Sequence, residues 1–194
     1  LVKQEDNVIL CGPIGSGKSS IIYQAIKQAL VQEKQNARYY RMHARGIKGK
    51  AKYVGEKEKN IETLIARLHQ NAGILWIDEI IEMFEGEPDT STPAILRKFL
   101  KRKQLKIIAE LTKSELHFIK DFLPSFLSYF QVIYIDEMEE EQLNKVLEQL
   151  QETSQQEFKI SIDTDALFLS KRLLKRFAPY EVFPGKILRF FTEG

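Results

Sequence analysis

The chain lacks the features of a disulfide-rich, membrane-spanning or strongly basic protein. It has one cysteine among 194 residues, which excludes an internal disulfide and favours a reducing setting. No run approaches the roughly 18 apolar residues of a membrane helix, and the N-terminus is not a signal peptide. The formal net charge of +2 is too small to indicate a nucleic-acid partner by itself. We therefore expect a soluble, cytoplasmic protein with no membrane partner.

Histidine is scarce as well. The three histidines, His43, His69 and His117, are far apart in the sequence and lack the spacing of metal ligands. We assign none of them to a site.

Glycine is sparse, but three of the ten glycines fall within Gly12–Ser19, which reads G-x-x-x-x-G-K-S. We call this stretch the phosphate loop. Glycines let successive N–H groups curl around phosphate oxygens, and the N-terminus of a following helix favours the same anion. Lys18 can reach the β- and γ-phosphates, and the Ser19 hydroxyl can ligate Mg²⁺. The sequence therefore predicts a nucleoside triphosphate site formed by Gly12, Pro13, Ile14, Gly15, Ser16, Gly17, Lys18, Ser19 and Ser20.

Short apolar runs alternate with helical patterns up to Asp136, and helical patterns follow one another after it. The runs are typical of buried parallel strands and lie at residues 8–11, 39–42, 74–77, 105–109 and 131–135. We predict an α/β fold, a three-layer P-loop NTPase sheet of five mostly parallel strands, over residues 1–136. A small helical lid follows over residues 137–194. Because the chain starts without methionine, we expect an excised domain with a truncated lid.

The run Ile74–Ile77 ends in Asp78 and Glu79. We expect these acids at the C-terminal end of a buried strand beside the phosphate loop, where ligands of open α/β sheets bind. Asp78 is the predicted Mg²⁺ ligand, together with Ser19. Glu79 is placed to activate an attacking water, which indicates hydrolysis.

These motifs carry a family resemblance. The phosphate loop, Ala51–Glu56, Ile74–Glu79 and Phe183–Lys186 occur in the order found in AAA+ ATPases. The chain resembles the first ATPase domain of Clp-type unfoldases and disaggregases over nearly its whole length. The resemblance implies ATP and Mg²⁺ as cofactors, a polypeptide substrate and a homohexamer in the full-length protein. It leaves the natural substrate and any partner protease open.

In that family the loop at Ala51–Glu56 lines the central pore and grips the polypeptide. The resemblance makes Tyr53 the gripping residue, flanked by Lys52 and Val54. A tyrosine ring offers sequence-tolerant contact area at low entropic cost, and nearby glycines allow the loop to move. An ordinary surface tyrosine and a basic nucleic-acid loop are the alternatives.

The chain departs from the family pattern at two positions. The first sensor is usually Thr or Asn, whereas here the candidates are Glu110 and Thr112. An acid would repel the γ-phosphate unless a cation offsets it, so we favour Thr112. The arginine fingers are also missing, because Phe126–Phe130 contains no cation. Rescue could come from a second domain, another partner, or the cations Arg97, Lys98 and Arg102.

The motif Phe183–Lys186 matches the start of the lid helix that carries a nucleotide-sensing cation. Lys186 is our choice for that role and Arg189 is the second choice, although solvated helix residues remain an alternative. The sequence thus predicts an ATP-hydrolysing Clp-type module, in which nucleotide state moves the pore loop. A catalytically weakened regulatory or scaffold module is the second hypothesis, and a nucleic-acid remodeller is the third.

Overall fold

The computed structural model describes residues 7–31, 37–48 and 54–192. Lys52 and Tyr53 lie outside these ranges, and Val54 is the first residue of a helix. Within the described ranges the strands form one sheet in the order β2-β3-β4-β1-β5, and every pairing is parallel. The strands are β1 (Asn7–Cys11), β2 (Arg38–His43), β3 (Gly73–Asp78), β4 (Lys106–Leu111) and β5 (Phe130–Tyr134). The predicted α/β P-loop fold class is confirmed.

Helices connect and follow these strands. They are α1 (Lys18–Val31), α2 (Ala44–Lys48), α3 (Val54–Gln70), α4 (Thr92–Lys101), α5 (Lys113–Phe122), α6 (Pro124–Leu127), α7 (Glu140–Thr153), α8 (Thr164–Phe177) and α9 (Gly185–Thr192). The sequence predicted a loop over residues 46–55, but α2 extends into this stretch and α3 begins at Val54. Within the described ranges, no helix has the length and apolarity needed to cross a membrane.

Strand β1 is buried along its whole length, as its apolar sequence predicts. Its first residue, Asn7, is polar, and its side chain links the neighbouring segments. Asn7 Oδ1 accepts from the Ile107 amide at 2.8 Å, and its Nδ2 donates to the Tyr129 carbonyl at 3.0 Å. These bonds satisfy the buried amide and fix the start of β1 relative to β4 and to the turn before β5.

The chain divides into two compact units. The first comprises Leu1–Cys11 and Ser19–Tyr134, and it contains the sheet. Its core forms where the apolar faces of the helices pack together with buried strand residues, for example Ile61 and Ile65 of α3. The fully buried side chains of this core include Ile9, Ile61, Leu75, Ile77, Ile107, Ile119 and Phe126.

The second unit comprises Gly12–Lys18 and Ile135–Gly194, and so it contains the phosphate loop up to Lys18. Helices α7, α8 and α9 bury a separate cluster of Leu143, Leu147, Leu167, Phe183 and Ile187. Asp163 begins α8 by accepting from the Asp165 amide at 2.7 Å, which satisfies a free N-terminal donor. The predicted boundary at Asp136 and the assignment of residues 137–194 as a lid stay predictions.

Candidate nucleotide-binding site

The phosphate loop has a backbone that requires glycine. Gly15 and Gly17 have φ angles of +89° and +84°, in the left-handed region. A Cβ at Gly12 would lie 2.4 Å from the Ile135 carbonyl oxygen. The Ser16 amide also donates to the Pro13 carbonyl at 3.3 Å, which closes the turn. The loop therefore has the curled shape that anion-binding amides need.

The segment Val182–Gly185 holds this loop through its backbone. The Val182 amide donates to the Ile14 carbonyl, and the Gly185 amide donates to the Gly15 carbonyl, both at 2.9 Å. A Cβ on Gly185 would lie 2.4 Å from the Gly15 Cα, so only glycine permits this approach. The motif Phe183–Lys186 was predicted as the start of a lid helix, but its contact with the loop was not predicted.

Two side chains of the loop have polar atoms suited to phosphate. Lys18 is buried, and its Nζ donates to the Gly12 and Pro13 carbonyls at 2.9 and 2.8 Å. Ser16 Oγ is buried and has no hydrogen-bond partner among the residues that the structure describes. A buried hydroxyl without a partner is costly unless a ligand satisfies it. The loop therefore fits a phosphate group.

Asp78 ends β3 as a buried carboxylate with one oxygen engaged. Its Oδ2 accepts from Arg41 Nε at 2.8 Å and lies 3.5 Å from His43 Nδ1. Its Oδ1 is buried without a hydrogen-bond partner in the described part of the chain. The carboxylate therefore fits a metal ligand through Oδ1. The described ranges contain no cluster of three or more His, Cys, Asp or Glu that could hold a metal.

Glu79 follows Asp78 with an exposed side chain and a left-handed backbone, at φ +50° and ψ +44°. A non-glycine residue there is strained, and such strain is concentrated at functional sites. The two adjacent acids therefore differ in their surroundings: the Asp78 side chain is buried, whereas the Glu79 side chain is exposed to solvent.

The two candidates for the first sensor differ in their contacts. Thr112 caps α5 in a capping box: its Oγ1 accepts from the Glu115 amide at 3.3 Å, and the Thr112 amide donates to Glu115 Oε2 at 2.7 Å. Glu110 lies on β4 and is half-buried. Its Oε2 accepts from Ser19 Oγ at 2.8 Å, and its Oε1 accepts from Trp76 Nε1 at 3.0 Å.

Sequence reasoning missed the contacts of Trp76 and Arg41. The Arg41 guanidinium lies 4.4 Å from the centroid of the Trp76 ring while it donates to Asp78. The parallel register places Arg41 opposite Trp76 and His43 opposite Asp78, so residues of one sheet face meet. Trp76 is buried, as its predicted place in the core requires. The hydrogen bond that its indole N–H donates to Glu110 was not predicted.

Four of the five cations proposed for sensing and rescue have partners in the structure. Lys186 Nζ lies 4.2 Å from the centroid of the Phe183 ring and donates to the Ala178 carbonyl at 3.3 Å. Arg189 pairs with Glu181, and Arg97 donates to Ser125. Lys98 pairs with Glu58 at 2.6 Å. Arg102 ends α4 as its exposed C-cap. To contact a nucleotide, these four side chains would have to give up their present contacts. They are Lys186, Arg189, Arg97 and Lys98.

The AAA family model, described as the ATPase family associated with various cellular activities, matches residues 8–119. This range exceeds half of the chain and includes the phosphate loop, Asp78, Glu79 and both sensor candidates. The chain belongs to the AAA family of ATPases.

Individual relatives of this AAA domain are Clp-type chaperones, as the sequence motifs predicted. The chaperone protein ClpB of Aquifex aeolicus (strain VF5) is 26% identical over 199 residues, which cover 97% of this chain and 20% of the relative. The S. cerevisiae Hsp104–ADP complex matches with a TM-score of 0.77 and 26% identity, over 97% of this chain and 28% of that chain. The S. cerevisiae Hsp104–casein complex in its extended conformation matches with a TM-score of 0.77 and 26% identity, over 92% and 32%. This AAA domain therefore spans a third or less of the length of these proteins.

Proposed function

We propose that this AAA domain binds and hydrolyses ATP as the motor module of a Clp-type protein unfoldase or chaperone. The observation that carries the proposal is the phosphate loop, in which Gly15 and Gly17 have positive φ angles and whose backbone bonds to Val182 and Gly185 hold it in shape. A site held in its binding conformation before the ligand arrives loses less entropy on binding.

Each polar group then has a role. The loop amides, Ser16 Oγ and Lys18 Nζ bind the ATP phosphates, and Lys18 exchanges its two carbonyl contacts for phosphate oxygens. Ser19 and Asp78 Oδ1 would hold Mg²⁺, which would neutralise phosphate charge. Glu79 accepts a proton from the attacking water. Thr112 is the proposed first sensor, and Lys186 is the proposed nucleotide-sensing cation.

The segment Val182–Gly185 offers a route from nucleotide to lid. Because it bonds to the loop that binds phosphate, a change in the loop moves the start of α9 directly. We propose that this movement alters the pore loop at Lys52, Tyr53 and Val54 within a homohexamer and pulls a polypeptide. We further expect the protein to act in the cytoplasm.

A regulatory or scaffold module that uses ATP as a structural switch is the second candidate. The specific observation in its favour is Phe126–Phe130, which lacks the arginine that relatives use against a neighbouring nucleotide. The pairing of Arg97 and Lys98 within the first unit also favours it. The exposed carboxylate of Glu79 favours hydrolysis instead.

The Lys18→Ala variant tests nucleotide binding. We expect it to abolish ATP binding in the presence of Mg²⁺, because the cation that neutralises the phosphates is lost. Equilibrium titration with a fluorescent ATP analogue measures this, with Lys27→Ala as the control lysine elsewhere on α1. Equal ATP affinity in Lys18→Ala and the original chain would contradict the proposal.

A further inference from the structure

One connected set of polar contacts joins the two predicted metal ligands in the first unit. Ser19 Oγ donates to Glu110 Oε2, and Trp76 Nε1 donates to Glu110 Oε1. Arg41 connects Trp76 to the second metal ligand, because its guanidinium stacks on the Trp76 ring and donates to Asp78 Oδ2. We call Ser19, Glu110, Trp76, Arg41 and Asp78 the metal-ligand network.

The network leaves suitable lone pairs on both ligands. A serine hydroxyl has one hydrogen and two lone pairs, so a hydroxyl that donates to Glu110 keeps its oxygen lone pairs for a cation. Asp78 uses Oδ2 for Arg41, and its buried Oδ1 stays without a hydrogen-bond partner among the described residues. Each ligand is therefore oriented by a neighbour that leaves its coordinating atom available.

The orientation of the Glu110 carboxylate is also fixed by Trp76. The indole N–H fixes one carboxylate oxygen, so the other is directed at Ser19 without rotation of the side chain. Outer partners of this kind orient metal ligands and increase their basicity. The negative charge of Glu110 has a further consequence, because it attracts Mg²⁺ and repels phosphate that carries no metal.

We propose that Glu110 is a positioning residue that makes ATP binding dependent on Mg²⁺. It orients the Ser19 hydroxyl toward the metal and disfavours metal-free ATP. This role rests on the proposed function, since it concerns the same nucleotide. This role also explains why an acid can occupy position 110, where the sequence alone predicted only repulsion of the γ-phosphate.

The test compares affinity for adenosine 5′-O-(3-thiotriphosphate) in MgCl₂ and in EDTA, by calorimetry on the original chain and Glu110→Gln. We expect Glu110→Gln to weaken binding in MgCl₂ by about ten- to a hundred-fold, as for loss of other outer-shell partners. In EDTA its affinity should equal or exceed that of the original chain, because a repelling charge has gone. The ratio of the two affinities therefore falls.

Trp76 provides a second readout, because it is the only tryptophan in the chain and contacts Glu110 directly. Its fluorescence should change when MgCl₂ is added to the analogue-bound original chain, and the change should be smaller in Glu110→Gln. Trp76→Phe keeps an aromatic ring under Arg41 but removes the N–H, so by calorimetry it should lower the same affinity ratio to a smaller extent. Glu141→Gln, an exposed position on α7, is the charge-matched control and should leave the ratio unchanged.

Equal weakening in MgCl₂ and EDTA would assign Glu110 a structural role only and overturn the proposal. An unchanged ratio in both Glu110→Gln and Trp76→Phe would also overturn it. If Glu110→Gln does not fold, Trp76→Phe alone decides between these results. Failure of the original chain to bind the analogue in MgCl₂ would instead overturn the proposed function, so the two failures are distinguishable.

Discussion

Glu79 combines an exposed carboxylate with a left-handed backbone, and Ala72 has the same kind of backbone (φ +47°) in the turn before β3. Glycine adopts this conformation without the steric cost that a Cβ brings. We therefore expect Glu79→Gly to raise the free energy of unfolding by about 1 kcal/mol and to abolish ATP hydrolysis. Urea denaturation and a phosphate-release assay measure the two effects.

Ala72→Gly is the matched control for this change. It should stabilise the chain by a similar amount and leave hydrolysis as it was, because Ala72 has no role in the chemistry. If Glu79→Gly destabilised the chain while Ala72→Gly stabilised it, strain at Glu79 would not be relieved by glycine. Retained hydrolysis in Glu79→Gly would remove Glu79 from its proposed role.

At the scale of elements, the contact between the phosphate loop and the start of α9 depends on Gly185. A methyl group there would lie 2.4 Å from Gly15 Cα, and backbone at that distance must move. We expect Gly185→Ala to displace the phosphate loop and to lower ATP affinity about ten-fold or more. A ten-fold loss corresponds to about 1.4 kcal/mol of binding free energy. Titration with a fluorescent ATP analogue in MgCl₂ measures it.

Gly46→Ala serves as the comparison, because its Cβ would meet only Met42 Cε at an ordinary 3.7 Å. This variant should bind ATP like the original chain. Equal affinity in Gly185→Ala and Gly46→Ala would show that the loop keeps its binding shape without the close approach, and would contradict the proposed route from nucleotide to lid.

Elements and their local signals were predictable from the sequence, and contacts between distant residues were not. The sequence pattern predicted helices over residues 139–152, 163–176 and 185–191, and α7, α8 and α9 match these ranges to within one residue at each end, because local burial determines the pattern. The short helix α2 was missed, because its five residues are too few to show a period and include Gly46. The bond from Ser19 to Glu110 joins residues 91 positions apart, so only the register of β1 with β4 brings them together. The G-x-x-x-x-G-K-S motif indicated the loop, yet nothing local indicated its bonds to Val182 and Gly185.

At the scale of the whole molecule, the proposal assigns polypeptide handling to Tyr53. We expect Tyr53→Ala to hydrolyse ATP at the original rate and to lose unfolding of a model polypeptide, because the gripping ring is absent. Tyr53→Phe keeps the ring and should retain most unfolding. A loss of hydrolysis in step with unfolding would place Tyr53 in the ATPase machinery, and normal unfolding by Tyr53→Ala would contradict the pore-loop assignment.

The family resemblance predicts arginine fingers at Phe126–Phe130, and the lack of a cation there sets the rate that we expect for a homohexamer built from this domain. In other phosphoryl-transfer enzymes such an arginine increases the rate by about 10³- to 10⁵-fold. The segment Phe126–Phe130 supplies none, and Phe126 is instead fully buried in the core of the first unit. We therefore expect firm ATP binding with slow turnover, and fast turnover by the assembled chain alone would contradict this expectation.

The most direct measurement is the ATP hydrolysis rate of the 194-residue chain over a wide range of concentration, beside its Glu79→Gln variant. The account predicts a slow rate that rises with concentration as subunits assemble, and no hydrolysis in Glu79→Gln despite retained ATP binding. Hydrolysis that persists in Glu79→Gln, or ATP binding without hydrolysis at any concentration of the original chain, would contradict the motor module and favour the switch.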